Sequence, residues 1–411
     1  MTAKQMKQWA RSVAVCCAIC GAICGAILLG GCATSGDLPG LRMTLDNPRL
    51  QQAMTKLRQG GTISVVSIGG SITTGHQAVP AASAGWSGLV NQWWQAKAKE
   101  TGGKVNYRNS GVSGTDSAFG SIRVKDHALA YDPDVVFVEF AMNDQWLNAR
   151  VRRRSYEGVL RQLLNDSERA VILLAVNEKA NPNKSARVDQ EKIGDHYGLP
   201  TLVWADWVKL ADWDRYFTGG ETIHPNNEGH ANIAAGVIRY LDAVWNASPS
   251  EIASIDTTLP QPLVSAEFQN VRLIGGEDSE FLVSDIESSG WIAKKAVLPD
   301  EWKRRGGEDL IGWTTDDPKA ELAVKVTGKS VGVLFIESDQ FRNGVAWIEG
   351  IDKRTTINSY VSYRNGYYGY AYAEIADNLE AGKEYILRLG VNAGGREGAA
   401  ISVIGVICTD Q

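Results

Sequence analysis

Thr62-Ile63-Ser64-Val65-Val66-Ser67-Ile68-Gly69-Gly70-Ser71-Ile72-Thr73 is a run of β-branched residues that stops at two glycines and a serine. Thr62 to Ile68 has the composition of a buried strand, and the glycines let the backbone turn sharply and expose the hydroxyl that follows. Further runs of the same kind lie at Val105 to Arg108, Val135 to Phe140, Ala170 to Val176 and Leu202 to Ala205, each followed by a longer amphipathic pattern. Such alternation predicts an α/β domain, a parallel sheet with helices on both faces. Ser71 then falls at the carboxyl edge of the sheet, where open α/β folds bind ligands.

The elements around this block follow from local signals. Asn47-Pro48 supplies a cap and a first-turn proline for a helix closed by Gly60 and Gly61. Ile233, Val237, Leu241 and Trp245 form one buried stripe on a helix from about Asn227 to Trp245. Residues 247–262 carry prolines, Ser and Thr without periodicity and read as a linker. Beyond them the pattern changes to short strands at Glu321 to Val326, Val331 to Glu337, Val345 to Glu349, Tyr368 to Ile375, Tyr385 to Val391 and Ile401 to Cys408. This predicts an all-β, jelly-roll-like sandwich over 263–411.

The chain has 411 residues, 44% hydrophobic and 22% charged, which excludes collagen-like, wholly disordered and multi-span membrane classes. A net charge of −5 without a basic stripe argues against a nucleic-acid partner. Five of the six cysteines lie between Cys16 and Cys32 and the last is Cys408, so neither a disulfide framework nor a cysteine zinc site can be assembled. Lys4, Lys7 and Arg11 precede an uncharged apolar stretch from Ser12 to Leu29, the layout of a secretory signal over 1–31. A single membrane anchor is the alternative, although the stretch is short for the ~20 residues of a span. Residues 32–45 read as a tether, leaving 46–246 for the α/β domain.

A serine needs a base before it becomes a nucleophile. The candidate is His224 in Glu221-Thr222-Ile223-His224-Pro225, just before the last helix. Hydrogen-bond donors for a tetrahedral oxyanion are offered by Gly114, in Asn109-Ser110-Gly111-Val112-Ser113-Gly114, and by Asn143, in Ala141-Met142-Asn143-Asp144. Taken in order, Gly70-Ser71, Gly114, Asn143 and His224 resemble the SGNH or GDSL-type hydrolase family over about residues 62–245. The resemblance implies a flavodoxin-like fold and two-step ester hydrolysis through an acyl-enzyme, without metal or other cofactor. Ser71 would be the nucleophile and His224 the base, with the Ser71 amide, Gly114 and Asn143 forming the oxyanion hole. Two residues depart from the family pattern: Ala141 replaces a glycine, and Glu221 replaces the aspartate three residues before the histidine. Either Glu221 or a backbone carbonyl therefore orients His224.

Leu29-Gly30-Gly31-Cys32 resembles a bacterial lipobox, with Cys32 acylated, and Ala33 resembles the outer-membrane sorting pattern. An envelope-anchored enzyme of this family with an attached β-sandwich resembles bacterial esterases that deacetylate carbohydrates. A lipase or thioesterase of the same family, or an inactive glycan-binding lipoprotein, are the alternatives.

Trp146 and His76 are candidate substrate contacts, while Trp204, Trp207 and Trp213 could either stack on sugar or pack against helices. Tyr368, Tyr370 and Tyr372, after the Asn365-Gly366 turn, read as a packed ladder or a glycan platform. Arg150, Arg152, Arg153 and Arg154 read as a solvated helix start, and His127, His196 and His230 as structural or exposed side chains. Gly328-Lys329-Ser330-Val331-Gly332 imitates a nucleophile elbow, but a strand follows where a helix is required, which leaves a hairpin turn as the reading.

Overall fold

A computed structural model describes residues 47–177, 185–208, 210–247, 254–283, 290–296, 310–362 and 368–409. The signal at 1–31, Cys32, the tether and the Asn365-Gly366 turn lie outside the described residues. The described residues all fall within one compact unit, Pro39–Gln411.

Helix α1 (Pro48–Arg58) starts where the Asn47 side chain accepts the Leu50 amide. Then follow β1 (Thr62–Gly69), α2 (Ser71–Thr74), α3 (Ala81–Ala84), α4 (Trp86–Thr101), β2 (Lys104–Gly111), α5 (Ser117–His127) and β3 (Val135–Glu139). After these come α6 (Ala141–Asp144), α7 (Ala149–Leu164), β4 (Ala170–Ala175), α8 (Ser185–His196), β5 (Thr201–Val203) and α9 (Asn227–Asn246). The five strands pair in the order β2-β1-β3-β4-β5, and every pairing is parallel. This is the flavodoxin-like order, with its crevice beside β1.

Alternate side chains of these strands enter two cores. Val65, Phe137 and Ile172 pack with Leu57 of α1, Trp94 of α4 and Val237 of α9. Val66, Val138 and Leu173 pack with Val124 of α5, Leu160 of α7 and Ile193 of α8. Both faces are therefore covered, which is why the strands read as nearly continuous apolar runs.

The carboxyl-terminal part is antiparallel. Strands β6 (Val271–Ile274), β7 (Ile292–Lys295), β8 (Ile311–Thr315), β10 (Ser330–Glu337), β13 (Gly369–Ala376) and β15 (Ile401–Thr409) form a six-stranded sheet. It packs against a four-stranded sheet of β9 (Glu321–Thr327), β11 (Arg342–Ile348), β12 (Arg354–Ile357) and β14 (Glu384–Gly395), with Val324, Val333, Leu387 and Val403 in the core. The Gly328-Lys329 turn is not the expected hairpin, because β9 and β10 belong to different sheets. Gly328 has φ +137°, and a Cβ there would stand 2.7 Å from the Thr409 carbonyl, so the crossing between sheets needs glycine.

The six-stranded sheet also presents Leu334, Ile336, Ile404 and Ile407 on its other face, where they cluster with Val112 and Phe119 of the α/β part. Helix α7 extends this joint. Phe268 is fully buried against Gly158, where a Cβ would collide with it. Glu157, also buried, accepts the amides of Leu263, Val264 and Ser265 at 2.6 to 2.8 Å. The end of the stretch read as a linker is held down as well, with the Pro260 carbonyl accepting from Arg161 at 2.9 Å.

The arginine run at the start of α7 is solvated only in part: Arg150 and Arg153 are exposed, whereas Arg152 and Arg154 are buried. Arg154 is 3% exposed and ion-paired to Glu267 and Glu374 of the β part, with a further hydrogen bond to Ser330. Arg150 pairs with Asp377, and buried Arg152 pairs with Asp189 at 2.8 Å. Their partners lie far away in the chain and are invisible to local pattern.

Candidate active site

Strand β1 ends at Gly69, Gly70 caps a single helical turn, and Ser71 is the first residue of that turn, 6% exposed. Ser71 Oγ lies 2.9 Å from Nε2 of His224, on the loop before α9. That loop is held by the Asn226 side chain, which accepts the Gly229 amide at 3.0 Å and donates to the Arg215 carbonyl at 2.9 Å. Nδ1 of His224 stands 3.5 Å from Oε2 of Glu221. At that separation the contact is an ion-pair approach, longer than a well-formed hydrogen bond. The other Glu221 oxygen accepts the amides of Thr222 at 3.0 Å and Ile223 at 2.9 Å, which fixes the carboxylate beside the ring.

The loops carrying the other two candidate residues converge on the same turn. A Cβ on Gly70 would collide with Oδ1 of Asn143 and stand 3.1 Å from the Thr115 carbonyl, so glycine there lets both loops close in. Thr74 Oγ1 meets Ser113 Oγ at 3.3 Å, and the Asn109 side chain donates to the Thr73 carbonyl at 2.7 Å. Gly114 has φ +75°, a conformation suited to glycine, and the Tyr370 ring lies 3.7 Å from where its Cβ would be. A residue of the β part therefore stands at the loop that carries Gly114.

Electrostatics favour a neutral base at pH 7. Burial lowers the His224 pKa below the ordinary histidine value, the neighbouring His76 lowers it further, and Glu221 partly restores it. Burial alone would raise the Glu221 pKa, but the Ile223 amide, His224 and the Thr222 amide hold it below the usual carboxylate value. The structure places the exposed His76 with its ring 4.2 Å from that of His224. Its backbone carbonyl accepts from Nε2 of buried His230 at 2.9 Å, while Nδ1 of His230 accepts the Trp86 amide at 3.2 Å. His230 thereby pins the His76 loop to α9.

Trp146 is 69% exposed on the turn after Asn143, its amide donating to the Asn143 carbonyl at 3.1 Å. Trp204 and Trp213 are core residues with rings 5.1 Å apart, and Trp207 packs over Gly236 of α9, so these three do not offer free faces to a sugar. Of the tyrosines, Tyr372 packs on Phe268 at 6.2 Å and Tyr370 on Phe119 at 5.9 Å, whereas Tyr368 is 45% exposed.

Beneath the site lie three buried carboxyls that local pattern did not reveal: Asp116, Glu139 and Asp144. Burial pushes Glu139 up to about 8, countered by the hydrogen bond from Thr73 Oγ1 at 3.3 Å and reinforced by Asp144. Burial likewise pushes Asp144 to about 8, and Asp116 to about 6. Asp144 receives the Ser117 amide at 2.8 Å and the Gln190 side chain at 2.8 Å, tying α5, α6 and α8 together.

A serine hydroxyl on an imidazole at the carboxyl edge of a 2-1-3-4-5 parallel sheet, with an acidic residue behind the imidazole, defines a serine-hydrolase arrangement on a flavodoxin-like fold. Residues 67–231 match the model of the GDSL-like Lipase/Acylhydrolase family. Thioesterase 1/protease 1/lysophospholipase L1 of Escherichia coli (strain K12) is 24% identical over 206 residues, covering 48% of this chain and 93% of that protein. Among solved structures, a two-domain esterase (CEX) active on acetylated mannans superposes with TM-score 0.76 at 20% identity, covering 92% of this chain and 99% of that one. The same esterase co-crystallised with mannopentaose gives TM-score 0.74 at 19% identity over the same shares. Both parts of the fold are therefore shared with that esterase.

Proposed function

We propose that this protein is a serine esterase that removes O-acetyl groups from a carbohydrate through an acyl-enzyme intermediate. The observation that carries the reading is the 2.9 Å contact between Ser71 Oγ and His224 Nε2. His224 takes the hydroxyl proton as Oγ attacks the acetyl carbonyl, and the amides of Ser71 and Gly114 with the Asn143 side chain receive the oxyanion. The imidazolium then protonates the departing sugar oxygen. Water, deprotonated by the same ring, releases acetate and restores the serine. Glu221 steadies the imidazolium.

Carbohydrate as the alcohol is supported by the two-part fold shared with an esterase active on acetylated mannans. It is also supported by Tyr370, whose ring stands at the Gly114 loop. The test is acetate release from acetylated mannan, xylan and pectin, with Ser71→Ala as control and p-nitrophenyl esters of increasing chain length alongside. Release that persists in Ser71→Ala would remove the nucleophile. A preference for acyl chains beyond about eight carbons would turn the reading to a lipase or thioesterase.

We also propose that Cys32 carries the lipid anchor of an outer-membrane lipoprotein, supported by the Leu29-Gly30-Gly31-Cys32 pattern. Metabolic labelling with a palmitate analogue that is equal in wild type and Cys32→Ala would refute it.

A further inference from the structure

Arg123 is fully buried on α5, an unusual place for an arginine. One guanidinium nitrogen donates to the Ser110 carbonyl at 2.6 Å and another to the Gly69 carbonyl at 2.8 Å. Ser110 and Gly69 are among the last residues of β2 and β1, and in the parallel register Ile68 faces Ser110 and Gly69 faces Gly111. The fork therefore spans the carboxyl ends of two neighbouring strands. Two residues beyond Gly69 is Ser71, and four beyond Ser110 is Gly114, so the carbonyls it grips belong to the peptides that lead into two of the three oxyanion donors. The fork sits against the Phe140 ring, 5.7 Å from its centroid, and Asp116, the cap of the same helix, is its electrostatic partner.

We propose that Arg123 is a positioning residue for the oxyanion hole, setting the spacing between the Ser71 amide and the Gly114 amide by holding the ends of β1 and β2. The inference rests on the serine-esterase reading above. Burying a guanidinium is costly unless its donors are satisfied, and a planar fork with fixed geometry suits two carbonyls on adjacent strands better than an ammonium does. Oxyanion donors act only when they sit about 2.7 to 3.1 Å from the developing charge, so a small splay of the two strand ends weakens the transition state more than the ground state.

The experiment compares wild type, Ser71→Ala, Arg123→Lys and Arg123→Met on p-nitrophenyl acetate, with the affinity of each for a boronic acid that forms a tetrahedral adduct on Ser71. Both Arg123 variants should lose about tenfold or more in kcat with KM within about twofold, and the boronate should weaken in parallel with kcat/KM. The lysine variant, which retains the charge but can satisfy the two carbonyls less well, should fall between wild type and methionine. A folded variant whose kcat stays within twofold, or whose KM alone rises while boronate affinity holds, overturns the proposal. Failure of both variants to fold would assign Arg123 to sheet stability and overturn it as well. Activity surviving in Ser71→Ala would instead strike at the esterase reading itself, so the two failures are distinguishable.

Discussion

The carboxylate of Glu221 approaches Nδ1 of His224 to 3.5 Å, longer than a catalytic dyad bond, while its other oxygen is committed to two backbone amides. The extra methylene of glutamate is accommodated by folding the carboxylate back onto its own loop. An interaction at this range is worth about 1 kcal/mol, not the several of a tight charged hydrogen bond. Glu221→Gln should therefore reduce kcat only about tenfold, against the roughly ten-thousand-fold known for tightly coupled triads. Steady-state kinetics on a small acetyl ester decide it, and a loss beyond a thousandfold would mean the bond tightens in the working enzyme.

The rate should follow the neutral form of His224. Its pKa lies below the ordinary value through burial and His76, so activity rises with pH on an acidic limb centred below the ordinary histidine value of about 6.5. Removing His76 takes away a lowering influence, and His76→Ala should move that limb to higher pH. Removing Glu221 takes away a raising influence, and Glu221→Gln should move it to lower pH. Measured kcat/KM profiles that shift in the same direction for both variants would refute this electrostatic picture.

Local chemistry made the loops of the candidate site legible. The Gly-Gly-Ser turn, the Asn143 loop and the histidine before α9 each stand beside a strand or helix whose apolar pattern is unmistakable, so sheet and candidate site could be read together. Strands β6, β7, β8 and β12 were not legible. Ile292–Lys295 is exposed throughout and has no alternation, Ile311–Thr315 is interrupted by Gly312, and Arg354–Ile357 is a four-residue edge. Arg123, Arg154 and Glu139 were missed for a different reason. A charged side chain reads as solvated until its partner is known, and theirs stand on other elements: Gly69 for Arg123, Thr73 for Glu139 and Glu267 for Arg154.

Glu139 makes the stability depend on pH in an uncommon direction. Its folded pKa is raised from 4.5 to about 8, so between those values the native state keeps a proton that the unfolded chain has released. Stability is then fully present below about pH 4.5 and declines as pH rises through 8, by at most about 1.4 kcal/mol per pH unit for one group. Glu139→Gln keeps a neutral hydrogen-bonding group at all pH. Thermal melts from pH 5 to 8.5 should fall less steeply for this variant than for wild type, and parallel curves would show that Glu139 does not titrate in that range.

Tyr368 is the exposed member of the tyrosine series, two residues before the ring at the Gly114 loop. If a glycan chain runs from the site along the β part, one aromatic stacking contact of about 1 kcal/mol is at stake. Tyr368→Ala should raise KM for acetylated polysaccharide about fivefold and leave p-nitrophenyl acetate hydrolysis unchanged. Equal kinetics on both substrates would remove Tyr368 from the binding track.

Arg154 anchors the joint between the α/β and β parts. It is 3% exposed and compensates Glu267 and Glu374 together. Replacing it by methionine keeps the bulk near Phe268 but removes the close cation of both carboxylates, leaving Glu374 only the longer approach of Arg150 at 3.9 Å, and breaking such a buried pair costs about 3 to 5 kcal/mol. Arg154→Met should therefore lower the melting temperature strongly. Adding Glu267→Gln should recover part of that loss, since one of the stranded charges is then gone. Calorimetry on the single and double variants separates the charge effect from lost packing: a double variant no more stable than the single one would mean that packing on Phe268, rather than ion pairing, holds the two parts together.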